Sequence, residues 1–174
     1  MSKLYTPDKD GIDHINVYSK ALTEAGRKLT NYSHAPFDHP LYGKFESMEG
    51  FWFWLSSGKQ FNKLRNLHGF KANQLGKIVC SKGSVKIDNF KEIILEATRV
   101  KLRQNTDILQ LLVETGDLPL VHYYYDYNEL DLSKSKVTYL KKYQWQMDEL
   151  MKVRGKTQKW MKEKNILDIS NYKL

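Results

Sequence analysis

Residues 30–55 read TNYSHAPFDHPLYGKFESMEGFWFWL. The segment opens as a proline-bearing loop with His34 and His39 and closes on Phe51-Trp52-Phe53-Trp54-Leu55, with Glu49 and Gly50 directly before that run. Ser47 is of the residue types that cap helix N-termini. A cap there puts Glu49 in the first turn, where unpaired amides and the helix dipole favour a carboxylate. The run from Phe51 is too aromatic for an exposed helix, so the pattern predicts a short helix over 47–55, buried from its start and ended by Ser56-Ser57-Gly58. A carboxylate at the edge of an aromatic wall is either a cap on a core helix or a catalytic group in a pocket. His34 and His39, five residues apart in the loop, are expected to be solvated.

On the N-terminal side, residues 1–13 are polar, with Pro7 and Gly11, and read as a loose lead-in. Residues 14–19 alternate as a short strand, 21–26 form a helical turn or a loop, and 29–43 form a structured loop. On the C-terminal side, 60–76 reads as two short helices with the second ending at Gly76, and 77–86 as an exposed basic connector. Asn89 with Glu92 three residues on resembles a capping box, and Phe90, Ile93, Ile94, Ala97 and Val100 come after it at helical spacing. A further helix is expected from Thr106 or Asp107 to Gly116. Residues 118–125 are strand-like, 128–135 form a polar loop, and a long amphipathic helix is expected over 136–164, with Gly155 a place to kink or end its first part. The expectation is one mainly α domain with a few short strands over 14–164, followed by a tail over 165–174.

The 174 residues suffice for one sizeable core, and 28% charged with 13% aromatic residues is a globular composition. A formal net charge of +8 favours a polyanionic or phosphorylated partner, and a basic run (Lys152, Arg154, Lys156, Lys159, Lys162, Lys164) makes DNA or RNA one such partner; the plain alternative is a solvated helix face. Cys80 is the only cysteine, which rules out an intrachain disulfide and suits a cytoplasmic location. No apolar run approaches membrane-spanning length. Gly-rich phosphate loops and metal-ligand spacings are missing, so neither a metal nor a cofactor is expected.

Several short pieces, in one order from about residue 15 to 154, resemble the NADAR (YbiA-like) family. They are Ile15-Asn16-Val17-Tyr18-Ser19; Leu29-Thr30-Asn31-Tyr32; Gly43-Lys44 through Ser47-Met48-Glu49; and Ala72 through Gly76-Lys77. After these come Asn89-Phe90, Ala97-x-x-x-Lys101-Leu102-x-Gln104, Thr115-Gly116-Asp117-x-x-Leu120-Val121 and Leu150-Met151-x-x-Arg154. The chain departs from the family after Asp126, where Asn128-Glu129-Leu130 replaces Trp-Gly, and at His122, Phe90 and Tyr143 to Gln146.

The resemblance implies a YbiA-like fold and an N-glycosidase that hydrolyses an N-ribosyl bond in an ADP-ribose or phosphoribosyl adduct, ADP-ribosylated guanine in nucleic acid included. Breaking a C1′–N bond builds oxocarbenium-like charge, which a nearby carboxylate stabilises while activating water. That role falls to Glu49, with Asp126 orienting water or ribose or serving as second acid. Trp52 and Phe90 would stack on the base, Lys44, Lys77 and Arg99 would meet phosphate, and Asn31 completes the substrate-binding set. Plainer roles stand beside these: Trp52 as core, Arg99 and Lys101 as a solvated helix face, Asp126 as a turn residue, Asn31 as a loop former. The alternative function is a catalytically diverged nucleotide- or nucleic-acid-binding protein of the same fold.

Overall fold

The computed structural model describes residues 4–126, 131–170 and 172, so the departure at 128–130 lies outside the described residues. The chain is mainly helical, with short strands paired in two-stranded sheets. It divides into two compact units, Met1–Thr30 with Ile108–Ile169, and Asn31–Asp107 with Ser170–Leu174.

In the first unit, β1 (Ile15–Asn16) pairs in parallel with a strand at Leu120–Val121, with Ile15 opposite Leu120. Helix α1 (Glu24–Leu29) starts at Thr23, whose hydroxyl accepts the Gly26 amide at 3.1 Å. The lead-in is not loose at Asp10, which is buried and accepts hydrogen bonds from the Asn16 and Leu22 amides at 2.9 and 2.8 Å.

The second unit carries the aromatic segment and the loop before it. That loop contains a hairpin that the sequence pattern did not show: β2 (Phe37–His39) pairs antiparallel with β3 (Gly43–Phe45), Phe37 facing Phe45. Helix α2 (Met48–Ser56) begins at Ser47 as expected, the Ser47 hydroxyl accepting the Gly50 amide at 3.0 Å. The same hydroxyl donates to the Leu67 carbonyl at 2.8 Å. The aromatic run builds the core. Phe51 meets Phe45 edge-on with centroids 4.9 Å apart, and Trp54 meets Phe45 at 5.2 Å. His39 is not solvated. It is 1% exposed and stacked 15° from the Phe51 ring plane, because β2 turns it inward beside Phe37. His34 is exposed and pairs with Glu46 at 2.6 Å.

Helix α3 (Gly69–Val79) comes after a 3-10 turn at Asn62–Asn66 and runs past Gly76 instead of ending there. A Cβ at Gly76 would stand 2.0 Å from Cγ of Phe53, so this glycine lets α3 lie close against α2. Helix α4 (Phe90–Gln104) starts where expected, but without a capping box: Asn89 has φ +57° and its side chain caps nothing. The inner stripe of α4 includes Ile94, Ala97 and Val100, with Phe90 and Ile93 half-buried. Gln104 acts as a surrogate strand for β2. Its carbonyl oxygen accepts the Asp38 amide at 2.7 Å and its amide donates to the Asp38 carbonyl at 3.0 Å.

Helix α5 (Thr106–Glu114) spans the division between the units, and Gly116 with φ +59° lies just beyond it. The strand expected over 118–125 is two strands, β4 (Leu120–Val121) and β5 (Tyr123–Tyr125). Between them, His122 Nδ1 lies 2.7 Å from the Val17 carbonyl. The helix expected over 136–164 begins only at Gln144. Val137–Tyr139 is β6, antiparallel to β5, and Lys141–Tyr143 is a 3-10 turn. Strand pairing wins there because Val137, Thr138 and Tyr139 suit a pleated edge better than a helix. Helix α6 (Gln144–Lys164) is continuous through Gly155 and packs on β4. The Arg154 guanidinium is buried and bonds the Thr115 hydroxyl and the Leu118 carbonyl, both at 2.8 Å. That ties α6 to the turn after α5.

Candidate active site

Glu49 is the second residue of α2 and is 8% exposed. Its amide donates to the Asn31 carbonyl at 2.9 Å, so Asn31 meets the site through its backbone and anchors the helix start to the preceding loop. Its carboxyl oxygen Oε1 accepts the Asn73 side-chain amide at 2.8 Å. Asn73 and Lys77 stand one turn apart on α3, on the side where Ala72 and Gly76 are buried. Gly50 completes the fit, since a Cβ there would stand 2.3 Å from the Leu64 carbonyl oxygen.

Burial pushes the Glu49 carboxyl above the ordinary glutamate range; the Asn73 hydrogen bond and the Lys77 charge pull the other way without cancelling it. Such a carboxyl holds a proton closer to neutrality than an exposed glutamate does, while one good donor still favours its charged form. This is an environment for a group that gains and loses a proton during a reaction.

Trp52 stands one helical turn after Glu49 and is half-buried, not core. Its ring meets Phe90 edge-on, centroids 4.8 Å apart at 84°. The two rings therefore touch and leave no slot between them; a base would stack on the outer face of one. Lys77 is exposed beside Glu49. Lys44 is exposed on β3, on the face opposite buried Phe45. Arg99 is half-buried on α4, nine residues after Phe90, which places it about 180° around the helix from that ring. Asp126 belongs to the other unit. It is exposed at the end of β5, where its amide donates to the Lys136 carbonyl at 3.0 Å, and with Lys20, Leu22 and Tyr125 it lines an open pocket of about 500 Å³. The structure thus brings together Glu49, Lys77 and the Asn31 backbone, and separately Trp52 with Phe90.

One residue escaped the sequence reading and a second stands elsewhere than its plainer role put it. Asn73 carried a weak signal, sharing with Lys77 the i, i+4 spacing beside two small residues. Lys101 is the stronger surprise: far from a solvated face, it is 1% exposed, and burial lowers its pKa to about 8. It stands eleven residues after Phe90, on the same face of α4.

Among the described residues no group of three or more His, Cys, Asp or Glu is placed to hold a metal ion, and no helix is long and apolar enough to cross a membrane. No family model, curated protein or solved structure matches the chain.

Proposed function

We propose that the protein is an N-glycosidase of the NADAR (YbiA-like) type, hydrolysing an N-ribosyl bond in an ADP-ribose or phosphoribosyl adduct in the cytoplasm. The observation that carries the reading is Glu49: a buried carboxyl in a first helical turn, held by one side-chain donor and close to one lysine. In its charged form it lies beside C1′, stabilises the oxocarbenium-like transition state and accepts a proton from water as the new C1′–O bond forms. The C1′–N pair leaves with the base, which is then protonated. Lys77 supplies a positive charge for a substrate phosphate. The resemblance in motif order adds to this reading, and guanine ADP-ribosylated in DNA is the first substrate to try.

The test is release of ADP-ribose from guanine-ADP-ribosylated DNA, monitored by mass spectrometry, with a phosphoribosyl-pyrimidine as second substrate. Release from either supports the reading, and release from neither counts against it. A second reading, a non-catalytic nucleotide binder, draws on the closed contact between Trp52 and Phe90. A thermal upshift with free ADP-ribose in a protein that releases nothing would favour that reading.

A further inference from the structure

Helix α6 carries a face that the proposed reaction does not use. At about 100° per residue, Lys152, Lys156, Lys159 and Lys162 fall within an arc of about 120° and extend along about 15 Å of helix. All four are exposed. The opposite side holds the buried residues Met147, Leu150, Arg154 and Met161. No acid occurs between Lys152 and Lys162. The nearest acids are Asp148, which bonds the Gln144 side chain at 3.1 Å, Glu149, which is buried, and Glu163, 3.9 Å from Lys159.

A second feature lies inside the same arc. Gly155 is exposed in mid-helix, and a Cβ there would meet nothing within 4 Å. Glycine is the least favourable helix residue after proline, and within α2 and α3 it is explained by close packing, at Gly50 and Gly76. At 155 no neighbour among the described residues explains it. A glycine without a packing reason, framed by four lysines, suits a place where an outside backbone approaches the helix closely.

The chemistry of the arc selects the partner. Its charges are all lysine, which meets phosphate as a point charge and lacks the planar fork that reads guanine. The arginine of α6 is spent on Thr115 and Leu118, and Gln158 on the Val113 and Gly116 carbonyls. The apolar side of the helix is buried in its own unit, so it has no face to sink into lipid, as surface-binding helices do. We propose that the outer face of α6 binds the phosphate backbone of a nucleic-acid duplex through Lys152, Lys156, Lys159 and Lys162, without reading its sequence.

The test uses the full chain and a fluorescent 16-base-pair DNA duplex, with anisotropy measured across a salt series. Lys152, Lys156, Lys159 and Lys162 are changed together to Gln in one variant; the exposed Lys9, Lys28, Lys63 and Lys71 are changed together in a charge-matched control. Four phosphate contacts give a slope of log K against log salt near −3.6, on the order of −0.9 per contact. The parent and the control should show that slope and equal affinity for a shuffled duplex; the α6 variant should lose at least tenfold in affinity and most of the slope. Gly155→Ala, which favours the helix, should keep the fold and still weaken binding several-fold. Equal losses in the two quadruple variants would reduce the effect to net charge and overturn the proposal. So would no duplex binding at 50 mM salt, or binding confined to phosphatidylserine vesicles. The outcome is independent of whether the protein releases ADP-ribose.

Discussion

Gly76→Ala tests the contact that sets α3 against α2 and so brings Asn73 to Glu49. The new Cβ would stand 2.0, 2.2 and 2.5 Å from Cγ, Cδ2 and Cδ1 of Phe53, against about 3.5–4.0 Å for an ordinary carbon contact. Cγ lies on the ring axis, so spinning the ring does not relieve the clash; either Phe53 leaves its rotamer or the helices separate by more than an ångström. Overpacking of this kind costs on the order of 3 kcal/mol at the upper end, and the better helix propensity of alanine returns about 1. The net loss is about 2 kcal/mol, roughly 4–8 °C in Tm for a chain of this size. Urea and thermal melts of the parent, Gly76→Ala, Phe53→Ala and the double variant measure it. In the Phe53→Ala background the alanine at 76 should be neutral or stabilising. An unchanged or raised Tm for Gly76→Ala alone would refute the close-packing argument.

Three further substitutions test the surroundings of the site. Ser47→Ala removes both the cap on the Gly50 amide and the bond to the Leu67 carbonyl, and should cost about 2 kcal/mol in a chemical melt. Lys101→Met should stabilise the protein at pH 7 by about 3 kcal/mol. The sign comes from a folded pKa of about 8 below the ordinary 10.5: the unfolded chain binds more protons, stability rises with pH across that window, and the advantage of methionine should vanish above it. Glu49→Gln should match or exceed the parent in Tm at pH 7. Because the folded Glu49 pKa is raised, the stability linked to it is present below the unfolded value of 4.5 and is lost as pH rises through the folded value. The two melting curves should therefore converge or cross as pH falls toward 4; a Gln variant that is less stable at pH 7 would contradict the sign.

What the sequence disclosed was local. The Ser47 cap, the Glu49 position in the first turn and the stop at residues 56–58 come from cap chemistry and from an aromatic run with no exposed alternative. The hairpin at 37–45 was hidden because its strands are only three residues long, with Pro40 in the turn between them; the alternation of buried Phe37 and His39 with exposed Asp38 becomes visible only once they pair. Gly76 was misread as a helix stop because glycine's low propensity and its use at close contacts look alike without the partner, Phe53. The segment 136–143 offered helical spacing in Leu140 and Tyr143, yet pairing with β5 overrode it over Val137–Tyr139. The solvated-face role weighed for Lys101 does not hold, because its burial depends on how α4 packs. Glu49's place in the first turn was legible and its Asn73 partner was not, since their contact spans 24 residues of sequence.

The most direct measurement is single-turnover release of ADP-ribose from guanine-ADP-ribosylated DNA by the parent, Glu49→Gln and Asp126→Asn, each shown folded by circular dichroism. The account predicts release by the parent, a loss of at least about 100-fold in Glu49→Gln, as for removal of a general base, and a smaller loss in Asp126→Asn, whose carboxyl is exposed. Release by Glu49→Gln at the parent's rate would contradict it.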